Sequence, residues 1–182
     1  MDRSDQIVSS RADLCLLDQA LLSAFVERRF EDAADLLDAE LEPNWPDAHD
    51  GAFLRSRLDD QTGDEGSAPW GARAIVVRSP MRCMIGHAGF HGPPGVNALG
   101  LAGAVELGYT VFPAWRCMGY ATEVVRSLMA WARRAPDVTA FVASVAPTNP
   151  ASCAVLRKLG FVVVREVLDD VDGPENVHLL TI

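Results

Sequence analysis

The sequence has one lysine, Lys158, against fifteen arginines, only two tyrosines, and no apolar stretch near the ~18 residues of a membrane-spanning helix. The missing apolar run excludes a helical membrane span. The polar, acidic start from Met1 to Gln6 lacks the basic-then-apolar order of a secretory signal, so a cytoplasmic location is expected. The four cysteines (Cys15, Cys83, Cys117, Cys153) are far apart and form no CxxC pair, and they read as buried or half-buried thiols. No HExxH motif occurs. His87 and His91 lie four apart, but the run between them reads as a strand end and a loop, so no metal site is expected. The shortage of lysine reflects codon usage more than function.

What is there is an ordinary globular composition with uneven charge. At 182 residues and 49% hydrophobic content the chain suits one domain with a substantial core. The net charge of -9 conceals a basic middle. Residues 1–70 hold 17 acidic and 6 basic side chains, whereas residues 71–165 hold 3 acidic and 10 basic. A basic middle suits a small polyanion, while the acidic flanks and the lack of a basic aromatic platform argue against nucleic acid.

Periodicity predicts a short strand over 12–18, one or two amphipathic helices over 16–40, and a short helix between Trp45-Pro46 and the polar stretch 59–66. Strands follow over 74–78 and 83–90, joined at Ser79-Pro80, then a Gly/Pro-rich loop over 91–100 and a strand over 103–111. Ala121, Val124, Val125, Leu128, Met129 and Ala132 recur at helical spacing within 119–134. The nearly all-apolar run 138–145 predicts a strand covered on both faces. Asn149, Pro150 and Gly160 punctuate the next helix as N-cap, first helical residue and left-handed stop. Runs 161–168 and 177–182 predict a closing hairpin across 169–176. The order predicts a single α/β (α+β) domain with a mixed, mostly antiparallel sheet of six to seven strands and helices on both faces.

Two segments carry chemistry. In the first, a strand from Glu106 through Tyr109, Thr110 and Val111 runs into a loop with Arg116, Cys117, Met118 and Gly119, which opens a helix at Tyr120, Ala121 and Thr122. A loop that opens a helix presents unpaired N–H groups and the positive end of the helix dipole, a ready site for phosphate oxygens. Gly119 and the small Ala121 let an anion approach the backbone. The second runs from Asn149 through Ser152, Leu156, Lys158 and Gly160 to Phe161.

With both in place the sequence resembles the GNAT acetyltransferases. Their phosphate loop, Gln/Arg-x-x-Gly-x-Gly/Ala, is matched by Arg116, Gly119 and Ala121. Their Asn-x-x-Ser/Ala-x-x-x-Leu/Tyr-x-Lys-x-Gly-Phe helix is matched by Asn149, Ser152, Leu156, Lys158, Gly160 and Phe161. The text around Glu106 to Tyr109 looks most like the Rim-type branch, which acetylates protein N-termini and small amines. The resemblance covers residues 70–182 well, and divides the domain into acceptor-side elements (1–70) and an acetyl-CoA-binding core (71–182).

The resemblance implies a transfer of acetyl from acetyl-CoA to a primary amine, without metal, nucleic acid or membrane, and with homodimerisation common among such domains. Backbone groups of Tyr109, Thr110 and Val111 would pair with the pantetheine arm. Arg116 and the amides from Cys117 to Thr122 would hold the pyrophosphate, and Asn149 and Ser152 would approach the thioester. Glu106 is the candidate base, Ser152 the candidate partner of the departing thiolate, and Ser144 a possible water-holding residue. Trp45, Trp70 and Phe90 are expected to wall the acceptor pocket, with Trp115 and Trp131 as packing residues. Cys117 and Met118 depart from the family's Gly and basic residue, leaving Arg116 or Arg157 to supply a cation. Leu156 replaces a tyrosine that serves many members as acid. These departures keep open a second reading, a catalytically degenerate acyl-CoA-binding sensor or interaction domain.

Overall fold

The computed structural model describes residues 7–43, 45–61, 69–169 and 173–182. Eight strands are present: β1 Ile7–Val8, β2 Ala12–Leu16, β3 Ala72–Val77, β4 Cys83–Phe90, β5 Ala104–Val111, β6 Ala140–Val145, β7 Val162–Asp169 and β8 Gly173–Thr181. The helices are α1 Gln19–Val26, α2 Phe30–Leu37, α3 Ala48–Gln61, α4 Tyr120–Ala132 and α5 Pro150–Leu159. The strands form one sheet in the order β1-β2-β3-β4-β5-β6-β8-β7. Every pairing is antiparallel except β5 with β6. No helix among the described residues is long and apolar enough to cross a membrane.

The sheet exceeds the six to seven strands expected. The addition is β1, whose two residues are too few to carry a period-two pattern. Helix α3 is longer than expected, at 14 residues, and takes in Asp59 to Gln61, where polarity suggested a loop. A solvent-facing helical end and a loop share that composition. Strand β8 starts at Gly173 rather than Val177, which shortens the expected hairpin connection.

Alternation along the strands sorts the two faces. Ala72, Ala74, Val76, Met84 and Phe112 pack with Leu21, Leu22 and Phe25 of α1, Ala33 and Leu37 of α2, and Leu54 of α3. Ile75, Ile85, Val105, Leu107, Phe141 and Ala143 face the other way, against Val124, Val125 and Leu128 of α4 and Leu156 of α5. Helix α1 starts where Asp18 accepts from the Leu21 N–H at 3.0 Å. At the far end Gly160 takes φ 93°, the left-handed stop read from sequence.

One feature of the sheet positions the site. Strands β5 and β6 pair only from Ala104↔Ala140 to Glu106↔Val142. Beyond Glu106, β5 continues beside β4 to Val111 while β6 continues beside β8 to Val145. The two central strands therefore part, and the sheet opens in its middle.

Candidate active site

The opening has a free backbone edge. The Glu106 carbonyl accepts from the His91 N–H at 2.9 Å, and the Phe112 N–H donates to the Ile85 carbonyl at 2.8 Å. The even residues of β5 thus turn their backbone groups to β4, and the odd ones, Leu107, Tyr109 and Val111, turn theirs into the gap. This corrects one expectation. The backbone of Thr110 belongs to the β4 ladder opposite His87, and its place in the cleft is as a wall.

At one end of the gap lies the loop that opens α4. Gly119 sits at φ 85° with no side-chain cap bond, so the N–H groups of the first turn of α4 keep no intrahelical partner. Cys117 also takes a positive φ, 61°. A cavity of about 630 Å³ is walled here by Arg116, Cys117, Gly119, Ala121 and Thr122, and across from them by Asn149 and Ser152. Arg116 is exposed and donates from Nε to the Val111 carbonyl at 2.9 Å, whereas Arg157 does not line the cavity. Met118 is solvent-exposed. Tyr120 is buried, with its ring against Trp115.

Arg11, in the turn between β1 and β2, braces this loop from behind. Its guanidinium donates to Glu123 Oε2 at 2.8 Å and to the Met118 carbonyl at 3.1 Å, and it lies 4.0 Å over the Tyr120 ring. The Ser9 hydroxyl and the Arg11 N–H both donate to Glu123 Oε1 at 2.7 Å. Burial pushes the Glu123 carboxyl up, but the Ser9 and Arg11 bonds outweigh it and hold the group below its ordinary 4.5. A carboxyl lowered in the folded state stabilises above its unfolded value and loses that contribution as pH falls through its folded value. Glu123→Gln is therefore expected to lower the urea midpoint at pH 7, with the difference closing below pH 4.5. A difference that stays constant with pH would assign the loss to packing.

At the other wall, the Asn149 side chain accepts from the Ser152 N–H at 3.1 Å and caps α5. The Tyr109 hydroxyl crosses from β5 to donate to the Ser152 carbonyl at 3.3 Å. Burial raises the Tyr109 pKa, opposed by the Ser152 bond, so the phenol keeps its proton at neutral pH. Leu156 is fully buried.

The second cavity, about 610 Å³, lies on the α1–α3 face of the parted sheet. Its floor is set by alternation: His87 and Gly89 from β4, Glu106, Gly108 and Thr110 from β5, and Ser144 from β6. Helix α3 adds Asp50, Phe53 and Arg57. Glu106 is 4% exposed. Its Oε1 accepts from the Ser144 hydroxyl at 2.7 Å and its Oε2 from the Ala98 N–H at 2.6 Å. His91 Nδ1 stands 3.9 Å from Oε1. His87 Nε2 is 3.5 Å from Asp50 Oδ1 with its ring stacked on Phe53, and the His87 contact holds the Asp50 carboxyl below its ordinary range.

A glycine-opened helix and a capped helix facing it are the parts that the motifs predicted, and the structure sets them beside the parted parallel pair. The chain matches the family described as "Acetyltransferase (GNAT) domain" over residues 21–162. It belongs to the GNAT acetyltransferases. Solved structures share the fold along the whole chain. A putative GNAT-family acetyltransferase from Bordetella pertussis is 22% identical with TM-score 0.65, over 96% of this chain and 98% of that one. RimL, a ribosomal L7/L12 alpha-N-protein acetyltransferase solved with coenzyme A, is 18% identical with TM-score 0.62, over 97% and 98%. The acetyltransferase MccE, solved with acetyl-CoA and AMP, is 13% identical with TM-score 0.60, over 95% and 93%. No curated protein sequence matches the chain.

Within this GNAT domain, the structure brings Tyr109, Thr110, Val111, Arg116, Cys117, Gly119, Tyr120, Ala121, Thr122, Asn149 and Ser152 around one cleft, which Met118 does not line. Glu106 and Ser144, expected separately, are hydrogen-bonded. The expected aromatic wall is corrected. Trp45 is core, 4.8 Å from Phe25 and 5.6 Å from Phe112, and Trp70 packs between Phe90 and Trp131. Only Phe90 of the three reaches the cavity, and Phe53 of α3 supplies the ring that they were expected to supply. Cys117 is exposed, unlike the other three cysteines, because it lies in the loop. Among the described residues no group of three His, Cys, Asp or Glu is placed to hold a metal. Arg11 escaped the sequence reading, and His91 entered it only as a metal ligand set aside. Their partners Glu123 and Glu106 lie 112 and 15 residues away, and neither spacing forms a motif.

Proposed function

We propose that this GNAT domain is an N-acetyltransferase that moves acetyl from acetyl-CoA directly to a primary amine, either a protein N-terminus or a small amine. The observation that carries this reading is the continuity of the two cavities, which share Tyr109, Thr110, Asn149 and Ser152 as walls. A cofactor held at the α4 loop can thus reach toward an acceptor on the α1–α3 face.

The residues fit acetyl-CoA. Amides at Gly119 to Thr122 and the exposed Arg116 suit the pyrophosphate, and the backbone edge from the Leu107 carbonyl through Tyr109 to the Val111 N–H, with the Val111 carbonyl taken by Arg116, suits the amide-bearing pantetheine arm. Acetyl-CoA supplies an activated acyl group. Ser152, with the Tyr109 hydroxyl on its carbonyl, stands at the wall where the sulfur would leave. The N–H of Tyr109, the first on β5 beyond its pairing with β6, would hold the acetyl oxygen. Glu106, held as a carboxylate acceptor by Ser144 and Ala98, is the negative charge on which proton removal from the amine depends.

The test is thiol release from acetyl-CoA with an amine panel of N-terminal-serine and N-terminal-alanine hexapeptides, spermidine and tyramine. Glu106→Gln should lower turnover about 100-fold while acetyl-CoA affinity stays near wild type. Unchanged turnover would remove Glu106 from the mechanism. Tight CoA binding with no thiol release from wild type would favour the sensor reading, which the substitutions at Cys117, Met118 and Leu156 support.

A further inference from the structure

The acceptor-side cavity holds a second ionisable group that the family motifs do not assign. His91 follows β4, and its ring lies across the floor toward β5. Its Nδ1 faces Glu106 Oε1 at 3.9 Å. Its Nε2 lies 3.2 Å from where a Cβ on Gly108 would stand. Any side chain at 108 would press on the ring, so Gly108 leaves room for Nε2 over β5, where that strand has just parted from β6. Glu106 is 4% exposed and both its oxygens already accept bonds of 2.7 Å or less. The His91 side chain is half open to the cavity, at 51%.

We infer that His91 Nε2, rather than Glu106, is the atom that takes the proton from the acceptor amine, and that Glu106 is a positioning residue acting through His91 Nδ1. The inference rests on the acetyltransferase reading above. In the step, the neutral amine nitrogen bonds to the acetyl carbon while the carbon–sulfur bond breaks. Its electron pair leaves on sulfur, and the nitrogen's proton passes to Nε2. The imidazolium so formed faces the Glu106 carboxylate and releases its proton to solvent at the cavity mouth.

The groups around His91 suit the task. Desolvation in the cavity lowers its pKa below the ordinary 6.5, and Arg57 adds to the lowering, while Glu106 opposes both. The ring is therefore neutral, and able to accept, at physiological pH. The other charged or titratable groups in the cavity are Asp50 of α3, His87 of β4, Tyr109 of β5 and Glu175 of β8, with Asp50 turned to His87 and the Tyr109 hydroxyl to the Ser152 carbonyl.

The test is the pH dependence of thiol release between pH 5 and 9 with the same peptides and amines, for wild type, His91→Gln and Glu106→Gln, with acetyl-CoA affinity read by calorimetry. In His91→Gln, kcat should fall about 100-fold, acetyl-CoA affinity should stay within about twofold, and the acidic limb of kcat/KM that is common to all the amines should vanish, leaving only the limb that each amine's own protonation sets. In Glu106→Gln the limb should remain but move to lower pH, because the carboxylate that raised the His91 pKa is gone. The inference is overturned if His91→Gln keeps the wild-type rate and limb, or if Glu106→Gln alone abolishes the limb. Failure of the underlying reading looks different. Wild type itself would then release no thiol with any amine, and the inference would fall with it before a variant was compared.

Discussion

Ala121→Glu should weaken acetyl-CoA binding 100-fold or more in titration calorimetry. Ala121 is the second residue of α4 and walls the cleft beside Gly119, at the end of the helix where N–H groups have no intrahelical partner. That end attracts anions because the unpaired N–H groups and the helix dipole act together. A carboxylate at position 121 would occupy the same field and face the pyrophosphate of the proposed site. Like charges brought together at an interface cost several kcal/mol, and about 3 kcal/mol corresponds to about 100-fold.

The wild-type helix already carries one acidic residue in its first turn, Glu123, but that charge is turned away and matched. Ser9 and Arg11 take both of its oxygens. Ala121→Gln, of similar size without the charge, should lose less than about tenfold, which separates repulsion from obstruction. If the two variants bind alike, crowding decides the loss. If Ala121→Glu binds as wild type does, the pyrophosphate is not at this loop and the cleft assignment fails.

Gly86→Val should be the most damaging single change to the sheet, with more than about 3 kcal/mol lost. Gly86 sits in β4 at φ 156°, where a Cβ would lie 2.1 Å from the Thr110 carbonyl oxygen and 3.0 Å from the Val111 Cα. Those atoms are backbone, so no rotamer change relieves the overlap. Strand β5 would have to draw back from β4 between His87↔Thr110 and Gly86↔Val111, where Tyr109, Thr110 and Val111 wall the cleft. For a domain of this size, about 3 kcal/mol corresponds to roughly 6–12 °C in melting temperature. Calorimetric melting of Gly86→Val beside Gly100→Val makes the comparison. Gly100 also has positive φ, 64°, but a Cβ there meets nothing within 4 Å. A Gly86 variant no less stable than the Gly100 variant would show that β4 and β5 are not held as close as described.

The reading of Ala121 came from sequence, and that of Gly86 did not. Residue 121 sits inside a local pattern, in which a strand end, a short loop and a helix start follow one another within a dozen residues. The hydrogen bonds that make an anion site there are decided by neighbours in the chain. Gly86 reads in sequence as one small residue in an apolar strand. Its importance comes from a carbonyl 24 positions later, which no periodicity registers.

The same division runs through the rest of the molecule. Asn149, Pro150 and Gly160 act within one helix, so their roles as cap, first residue and stop were legible. The apolar faces of α4 and β6 were legible because burial on one side or both imposes a period on the residues themselves. The eighth strand was not, since Ile7–Val8 is a strand only because β2 is there to pair with it. Trp45 and Trp70 look in sequence like pocket walls, and only the packing of α1, β4 and α4 against them makes Trp45 core and Trp70 a half-buried packing residue.

By itself, the sequence determined the order of elements from β2 onward, the apolar faces of its strands and helices, the family and the glycine-opened turn before α4, because each depends on contacts a few residues apart or on a pattern repeated along one element. Tertiary structure alone decided where β5 parts from β6, that odd rather than even residues of β5 face the gap, that Arg11 meets Glu123, and that Ser144, Ala98 and His91 converge on Glu106. Each of these joins groups on separate strands, helices or loops. Their distance is set by how the whole sheet twists and packs, a quantity that no local stretch of sequence contains.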